Sequence, residues 1–207
     1  TDKVRTLAIE AGDFIREETK KFHREAIEKK HAHDYVSYVD KESEKKIVTR
    51  LKELLPEAGF IAEEGSGTLN DEQYCWLVDP LDGTTNFIHD NAPYCVSIAL
   101  RSKKELLLGV VYEICRNECF WTYKGAPSYL NGNEIHVSAI SNLDDSFIAL
   151  GFPYATEEYK PMANHLVNTL YGNVAGLRLM GAAAVELCYI AAGRFEARIE
   201  AFIGPWD

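Results

Sequence analysis

Twelve residues near the middle of the chain bring two kinds of chemistry together: Trp76-Leu77-Val78-Asp79-Pro80-Leu81-Asp82-Gly83-Thr84-Thr85-Asn86-Phe87. An apolar strand runs into two carboxylates, and a Gly-Thr-Thr turn then opens a helix. Carboxylate oxygens are ligands for a hard cation such as Mg2+. Backbone N–H groups and hydroxyls at a helix start receive an anion. The segment therefore reads as both halves of a metal-dependent phosphatase site. Pro80 fixes its own φ and takes the chain out of the strand ladder. Asp79 and Asp82 then converge, with the Leu81 carbonyl between them as a third oxygen. Gly83 lets the backbone approach a phosphate. The Thr84 hydroxyl is placed for a water at the metal, and Thr85 and Asn86 leave N–H groups free. A bare Asp-x-x-Asp would be a turn with capping carboxylates; the strand before it and the Gly-Thr-Thr after it make the signal.

The elements around this segment must supply the rest. Residues 60–62 form a short strand that ends in Glu63-Glu64. It has the same apolar character as the strand before Asp79, so the two strand ends are expected side by side in one sheet. One Glu there would bridge a metal and an attacking water. Asp40 precedes a helical pattern carrying Ile47, Val48, Leu51, Leu54 and Leu55, stopped by Pro56 and Gly59, and reads as a helix N-cap. Asp207 closes the chain after Trp206 and says little alone, because a terminal Asp is ordinarily frayed.

An amphipathic helix opens the chain, with Val4, Leu7, Ala8, Ala11, Phe14, Ile15 and Phe22 at helical spacing. Residues 31–39 read as irregular, and His31-Ala32-His33 as a solvated loop. Residues 94–100, 106–114 and 119–123 read as an antiparallel meander. A turn-rich link over 125–132 follows, then a short strand over 135–137. A second unit begins near Ser146, with strands at 147–150 and 195–201 and helices at 162–170 and 181–192. The expectation is an N-terminal α+β unit over 1–145 carrying the metal site. The start of a C-terminal α/β unit over 146–207 joins it in one compact module.

Composition bounds the partners. Of 207 residues, 46% are apolar and 26% charged, the balance of an ordinary globular protein. No apolar run is long enough to cross a membrane, and no signal peptide is visible. The net charge of −10 argues against nucleic acid and against an anionic membrane surface. It also repels phosphate unless bound Mg2+ inverts the local charge. Cys75, Cys95, Cys115, Cys119 and Cys188 are odd in number and mostly sit in apolar segments, as reduced thiols of a cytoplasmic protein do.

With Glu63-Glu64, the Asp79-to-Phe87 string and Trp206-Asp207 in view, the chain resembles the inositol monophosphatase family. This family lies within the superfamily of Mg2+-dependent, lithium-sensitive phosphatases. The resemblance runs over nearly the whole chain. It implies a layered αβαβα sandwich and a homodimer. Glu63, Asp79, the Leu81 carbonyl, Asp82 and Asp207 match its metal ligands, for two or three Mg2+ ions. Asp40 matches the acid that orients the water through Thr84. Gly83, Thr84 and Thr85 match the phosphate cradle. Gly181, Ala183 and Glu200, with Asp82 and Asp207, match contacts to a small phosphorylated polyol. In the family, Trp-Asp is followed by a small-residue helix and a further α/β segment. Ending at Asp207 is therefore expected to reflect truncation.

The implied reaction is direct hydrolysis of inositol monophosphate. Haloacid-dehalogenase-type phosphatases separate their two Asp by one residue, whereas Pro80 and Leu81 both intervene here. Bisphosphate nucleotidases and fructose-1,6-bisphosphatases share the metal site, but nucleotidase-type enzymes tend to carry Lys-Glu where this chain has Thr85-Asn86. A non-catalytic, metal-binding scaffold is the reading from a different class.

Overall fold

The computed structural model describes residues 1–207 except 23–26, 32–33, 68–71 and 154–155. The chain runs α1 (Asp2–Thr19), β1 (Ile27–His31), β2 (Asp34–Ser37), α2 (Tyr38–Leu54), β3 (Gly59–Ala62), β4 (Tyr74–Asp82) and α3 (Thr84–Ile88). It continues through β5 (Cys95–Ser102), β6 (Leu106–Glu113), β7 (Glu118–Tyr123), β8 (Ser128–Leu130) and β9 (Asn133–Ile135). Then come β10 (Phe147–Leu150), α4 (Thr156–Leu170), β11 (Gly176–Arg178), α5 (Ala183–Ala191) and β12 (Ala197–Ile199).

Five layers result. Helices α1 and α2 bury apolar stripes, Val4-Leu7-Ala8-Ala11-Ile15 and Ile47-Val48-Leu51, against one face of a seven-stranded sheet. Gly12 allows α1 to lie close, because a Cβ there would stand 2.4 Å from the Tyr112 ring of β6. The sheet order is β3-β4-β5-β6-β7-β8-β9; β3 and β4 are parallel and the rest is an antiparallel meander. Its other face packs Cys95 and Phe120 on Ala184, Val185 and Tyr189 of α5. Beyond α5 lies a parallel sheet of order β11-β10-β12. Ile148 and Leu150 of its central strand meet Leu170 at the end of α4. This is the expected αβαβα sandwich of an α+β chain.

Several local expectations are corrected. Residues 31–39 are not irregular throughout: β1 and β2 pair antiparallel, and α2 already begins at Tyr38. The two-residue period of so short a hairpin is swamped by its charged side chains. Asp40 is not the N-cap of α2. Ser37 is, and Asp40 occupies the third helical position of a capping box, accepting from the Ser37 N–H at 2.8 Å. The turn-rich link holds β8, β9 ends at Ile135, and β11 had no visible signal. The His31-Ala32-His33 loop reading falls largely outside the described residues. The five cysteines are all free; Cys115, unlike the others, is exposed. Among the described residues, no helix is long and apolar enough to cross a membrane.

Candidate metal and phosphate site

The site is built on an interruption in β4. Asp79 pairs with Ser97 and Asp82 with Cys95, so Pro80 and Leu81 together oppose Val96 alone. This is a β-bulge. The strand does not leave the ladder at Pro80, as the proline suggested, but rejoins it one residue pair later. The bulge turns both carboxylates to one side. The Asp79 carboxylate also accepts from the Leu81 N–H at 3.0 Å, which tightens the kink.

Glu63 arrives from the neighbouring strand. Ala62 of β3 pairs with Val78 of β4, and the Glu63 N–H donates to the Val78 carbonyl at 3.2 Å. The parallel pairing thus brings Glu63 and Asp79 to one sheet end, where their side chains hydrogen-bond. Two carboxyls that bond each other share a proton unless a cation lies between them. Oxygens of Asp79, Asp82 and Asp207 all lie within 4.8 Å of one another. Asp207 is held rather than frayed: its carboxylate accepts from the Gly204 N–H, and Ser97 Oγ donates to the Trp206 carbonyl at 3.2 Å.

Electrostatically the cluster is one-sided. Burial, then the charges of Glu63, Asp82 and Asp207, push the Asp79 carboxyl well above the ordinary range. Burial, then Asp207, pushes Asp82 up to about 7. Two N–H groups at the start of α5 resist that rise, Ala184 at 2.8 Å and Ala183 at 3.1 Å. Among the described residues, no Lys or Arg bonds to Asp79 or Asp82. Such a set of hard oxygen donors fits Mg2+. Leu81 lines the same space, and its carbonyl oxygen lies 3.0 Å from Thr84 Oγ1.

Helix α2 aligns the parts. Asp40, Ser43 and Glu44 stand three and four residues apart on its buried face. Thr84 Oγ1 lies 2.8 Å from Asp40 Oδ1, to which it donates. Ser43 Oγ donates to the Pro80 carbonyl at 3.1 Å. The Glu44 carboxylate accepts from the Glu64 N–H at 2.7 Å and the Ser66 N–H at 2.9 Å. One helix face therefore positions Thr84, the bulge and the loop that carries Glu63. Burial raises the Asp40 carboxyl, opposed by its bonds to Ser37 and Thr84. Sequence reasoning missed Ser43 and Glu44. The signal was a polar residue at each of three positions continuous with the apolar stripe of Ile47 and Leu51.

Helix α3 is fixed by Phe87, whose ring meets Phe22 and Tyr94 edge-on at 5.0 and 5.7 Å. Burying it contributes on the order of 2 kcal/mol. Gly83 precedes this helix at φ 90°, in the left-handed region that favours glycine. A Cβ there would also stand 3.0 Å from the Pro93 carbonyl. The Asn86 amide donates to the Pro93 and Met180 carbonyls at 2.7 and 2.6 Å, tying α3 to the segment before α5.

A cavity of about 540 Å³ opens over this cluster. Every expected site residue except Asp40 lines it: Glu63, Asp79, Leu81, Asp82, Gly83, Thr84, Thr85, Gly181, Ala183, Glu200 and Asp207. Asp40 is buried behind Thr84 and reaches the cavity only through that hydroxyl. Glu64 is not among the lining residues, and its backbone N–H serves Glu44. The lining also holds Glu186 and Arg198, which the sequence did not single out.

The sequence matches the inositol monophosphatase family over residues 1–207. It is 36% identical over 202 residues to a protein of Pseudomonas aeruginosa named Nus factor SuhB, covering 95% of this chain and 74% of that one. Among solved structures, the extragenic suppressor protein suhB from Bartonella henselae superposes with a TM-score of 0.90 at 33% identity, over 98% of this chain and 78% of the other. An inositol monophosphatase from Anabaena superposes with a TM-score of 0.84 at 30% identity, over 100% of this chain and 76% of the other. These names correct one expectation. Nus factor is a name from transcription, and it contradicts the exclusion of nucleic-acid partners drawn from charge. A net charge of −10 is a sum over the whole chain and does not fix what one face of it meets.

Proposed function

The chain belongs to the inositol monophosphatase family, and on that premise we propose that it is a Mg2+-dependent phosphomonoesterase hydrolysing inositol monophosphate to inositol and phosphate. The observation that carries this reading is the meeting of Glu63, Asp79, Asp82 and Asp207 at a β-bulge beside a hydroxyl–carboxylate pair. Glu63, Asp79, the Leu81 carbonyl, Asp82 and Asp207 would hold the metal. Bound there, Mg2+ would acidify a water and offset the charge of the phosphate.

The remaining work falls to the chain. Thr84 Oγ1 stands between the cavity and Asp40, so a proton taken from the attacking water passes through the hydroxyl to the buried carboxylate. The Glu63 carboxylate orients the same water from the other side. The water attacks phosphorus in line with the ester oxygen; the P–O bond breaks with its electron pair going to that oxygen, which departs as an alkoxide and takes a proton from solvent. Gly83 keeps the cradle floor bare, and Thr85 borders it. Positioning of this kind, with charge stabilisation, supplies most of the rate in phosphoryl transfer.

The family resemblance supports three finer expectations: a homodimer, inhibition by Li+, and a cytoplasmic setting. A second reading, a metal-binding protein whose role is not catalytic, is favoured by the Nus factor name of a relative. Phosphate release by the full chain, with and without Mg2+, separates the two. Inositol 1-phosphate, fructose 1,6-bisphosphate and 3′-phosphoadenosine 5′-phosphate are the panel. Mg2+-dependent turnover favouring inositol 1-phosphate is expected. Preference for a bisphosphate would reassign the substrate, and binding of Mg2+ without turnover of any would favour the non-catalytic reading.

A further inference from the structure

A second part of the cavity lining, beside the carboxylate cluster, has its own charge arrangement. Arg198 Nε donates to Glu186 at 2.6 Å, and Arg198 Nη2 bonds Glu200 Oε2. The three side chains are almost wholly enclosed, at 6%, 1% and 12% exposure. Glu186 is anchored in turn, accepting from the Met180 N–H at 2.9 Å. Burial alone would lower the Arg198 pKa, but its bonds to Glu186 and Glu200 outweigh that and raise it. A planar fork engaging two carboxylates at once is a task that Lys cannot reproduce.

Gly151 completes the clamp. A Cβ at this position would stand 2.2 Å from the Glu200 carboxylate and 2.9 Å from the Arg198 guanidinium. The Glu200 head therefore occupies the space that any side chain at 151 would take. Arg198 engages Oε2, and Glu200 borders the cavity. Two carboxylates share one guanidinium, so this part of the lining carries no spare positive charge for a second phosphate.

We propose that Arg198, seated by Glu186 and by the bare backbone of Gly151, is the positioning residue that sets substrate specificity. It fixes the Glu200 carboxylate to accept a hydroxyl of the leaving alcohol, and so selects a polyol monophosphate over an ester that lacks a neighbouring hydroxyl or carries a second phosphate. This inference rests on the phosphatase reading above.

The test compares inositol 1-phosphate with phenyl phosphate, whose leaving group has no hydroxyl to offer, using the full chain in Mg2+. Arg198→Lys is expected to lower the ratio of kcat/KM for inositol 1-phosphate over phenyl phosphate by roughly tenfold, mostly through KM. Gly151→Ala, which leaves every charge in place, is expected to shift the ratio in the same direction. In a Glu200→Gln background, Arg198→Lys is expected to add little, because the two act as one unit. Thermal melts show that each variant is folded. Equal losses on both esters, or a full Arg198 effect in the Glu200→Gln background, would overturn the inference while leaving the phosphatase reading intact. Wild-type protein that hydrolyses neither ester would remove both.

Discussion

Two parts of one cavity lining use the same residue types to opposite effect. In one, Glu63, Asp79, Asp82 and Asp207 crowd together, and no Lys or Arg among the described residues bonds to Asp79 or Asp82. In the other, Glu186 and Glu200 are joined through Arg198. A buried carboxylate is costly unless paired. Glu186, Arg198 and Glu200 hold one another in shape; Asp79 and Asp82 are set up for a cation from outside. Carboxylates therefore declare their role by what neutralises them, not by their number.

The contrast breaks most sharply at its two centres. Asp79→Asn is expected to cut Mg2+-dependent phosphate release by about a thousandfold, since the metal supplies several kcal/mol of charge stabilisation. The same change is expected to raise the melting temperature of metal-free protein at pH 7, because it removes the most strongly crowded buried carboxyl. Arg198→Met is expected to do the reverse to stability, lowering it by about 3–5 kcal/mol in urea unfolding, because two buried carboxylates lose their partner. Finding the same sign of stability change for both substitutions would erase the distinction between the two parts of the lining.

Smaller effects sharpen it. Thr84→Val is expected to lower kcat by about a hundredfold through loss of the proton path to Asp40, while Mg2+ affinity stays within a few-fold. Glu44→Gln weakens the hold on the loop carrying Glu63, and roughly tenfold weaker Mg2+ binding is expected in a titration. Finally, Asp82 is pushed from 3.8 up to about 7 in the folded chain. The folded state then binds the proton more tightly than the unfolded state. Stability from this group is fully present below pH 3.8 and is lost as pH rises to about 7. Metal-free melting temperatures should accordingly fall across that window, and saturating Mg2+ should flatten the fall.

Much of this was legible because it lies close along the chain. Asp79, Leu81, Asp82, Gly83 and Thr84 sit in one strand-to-helix run, and the strand before Glu63 matches the one before Asp79 in character. Helix and strand periodicity located most of the elements, and the family resemblance supplied the order of the layers. What stayed hidden depends on distant contacts. Glu44 meets Glu64 across twenty positions, which local patterns do not encode; Asp40 reaches Thr84 across forty-four, and only the family resemblance paired them. Arg198 read as one polar residue in an alternating strand, and nothing nearby named Glu186 as its partner. The bulge was misjudged because Pro80 signals an exit from pairing, whereas Asp82 resumes it with Cys95. The net charge misled about nucleic acid for the opposite reason, as an average that carries no position.

The central claim is that the cluster around Asp79 and Asp82 is a Mg2+ site whose carboxyls hold protons until the metal arrives. Calorimetric titration of metal-free full chain with Mg2+ at pH 6, in two buffers of different ionisation enthalpy, reads binding and proton release together. The account predicts saturable binding accompanied by released protons, both greatly reduced in Asp79→Asn. Binding that is indifferent to Asp79, or that releases no proton, would contradict it.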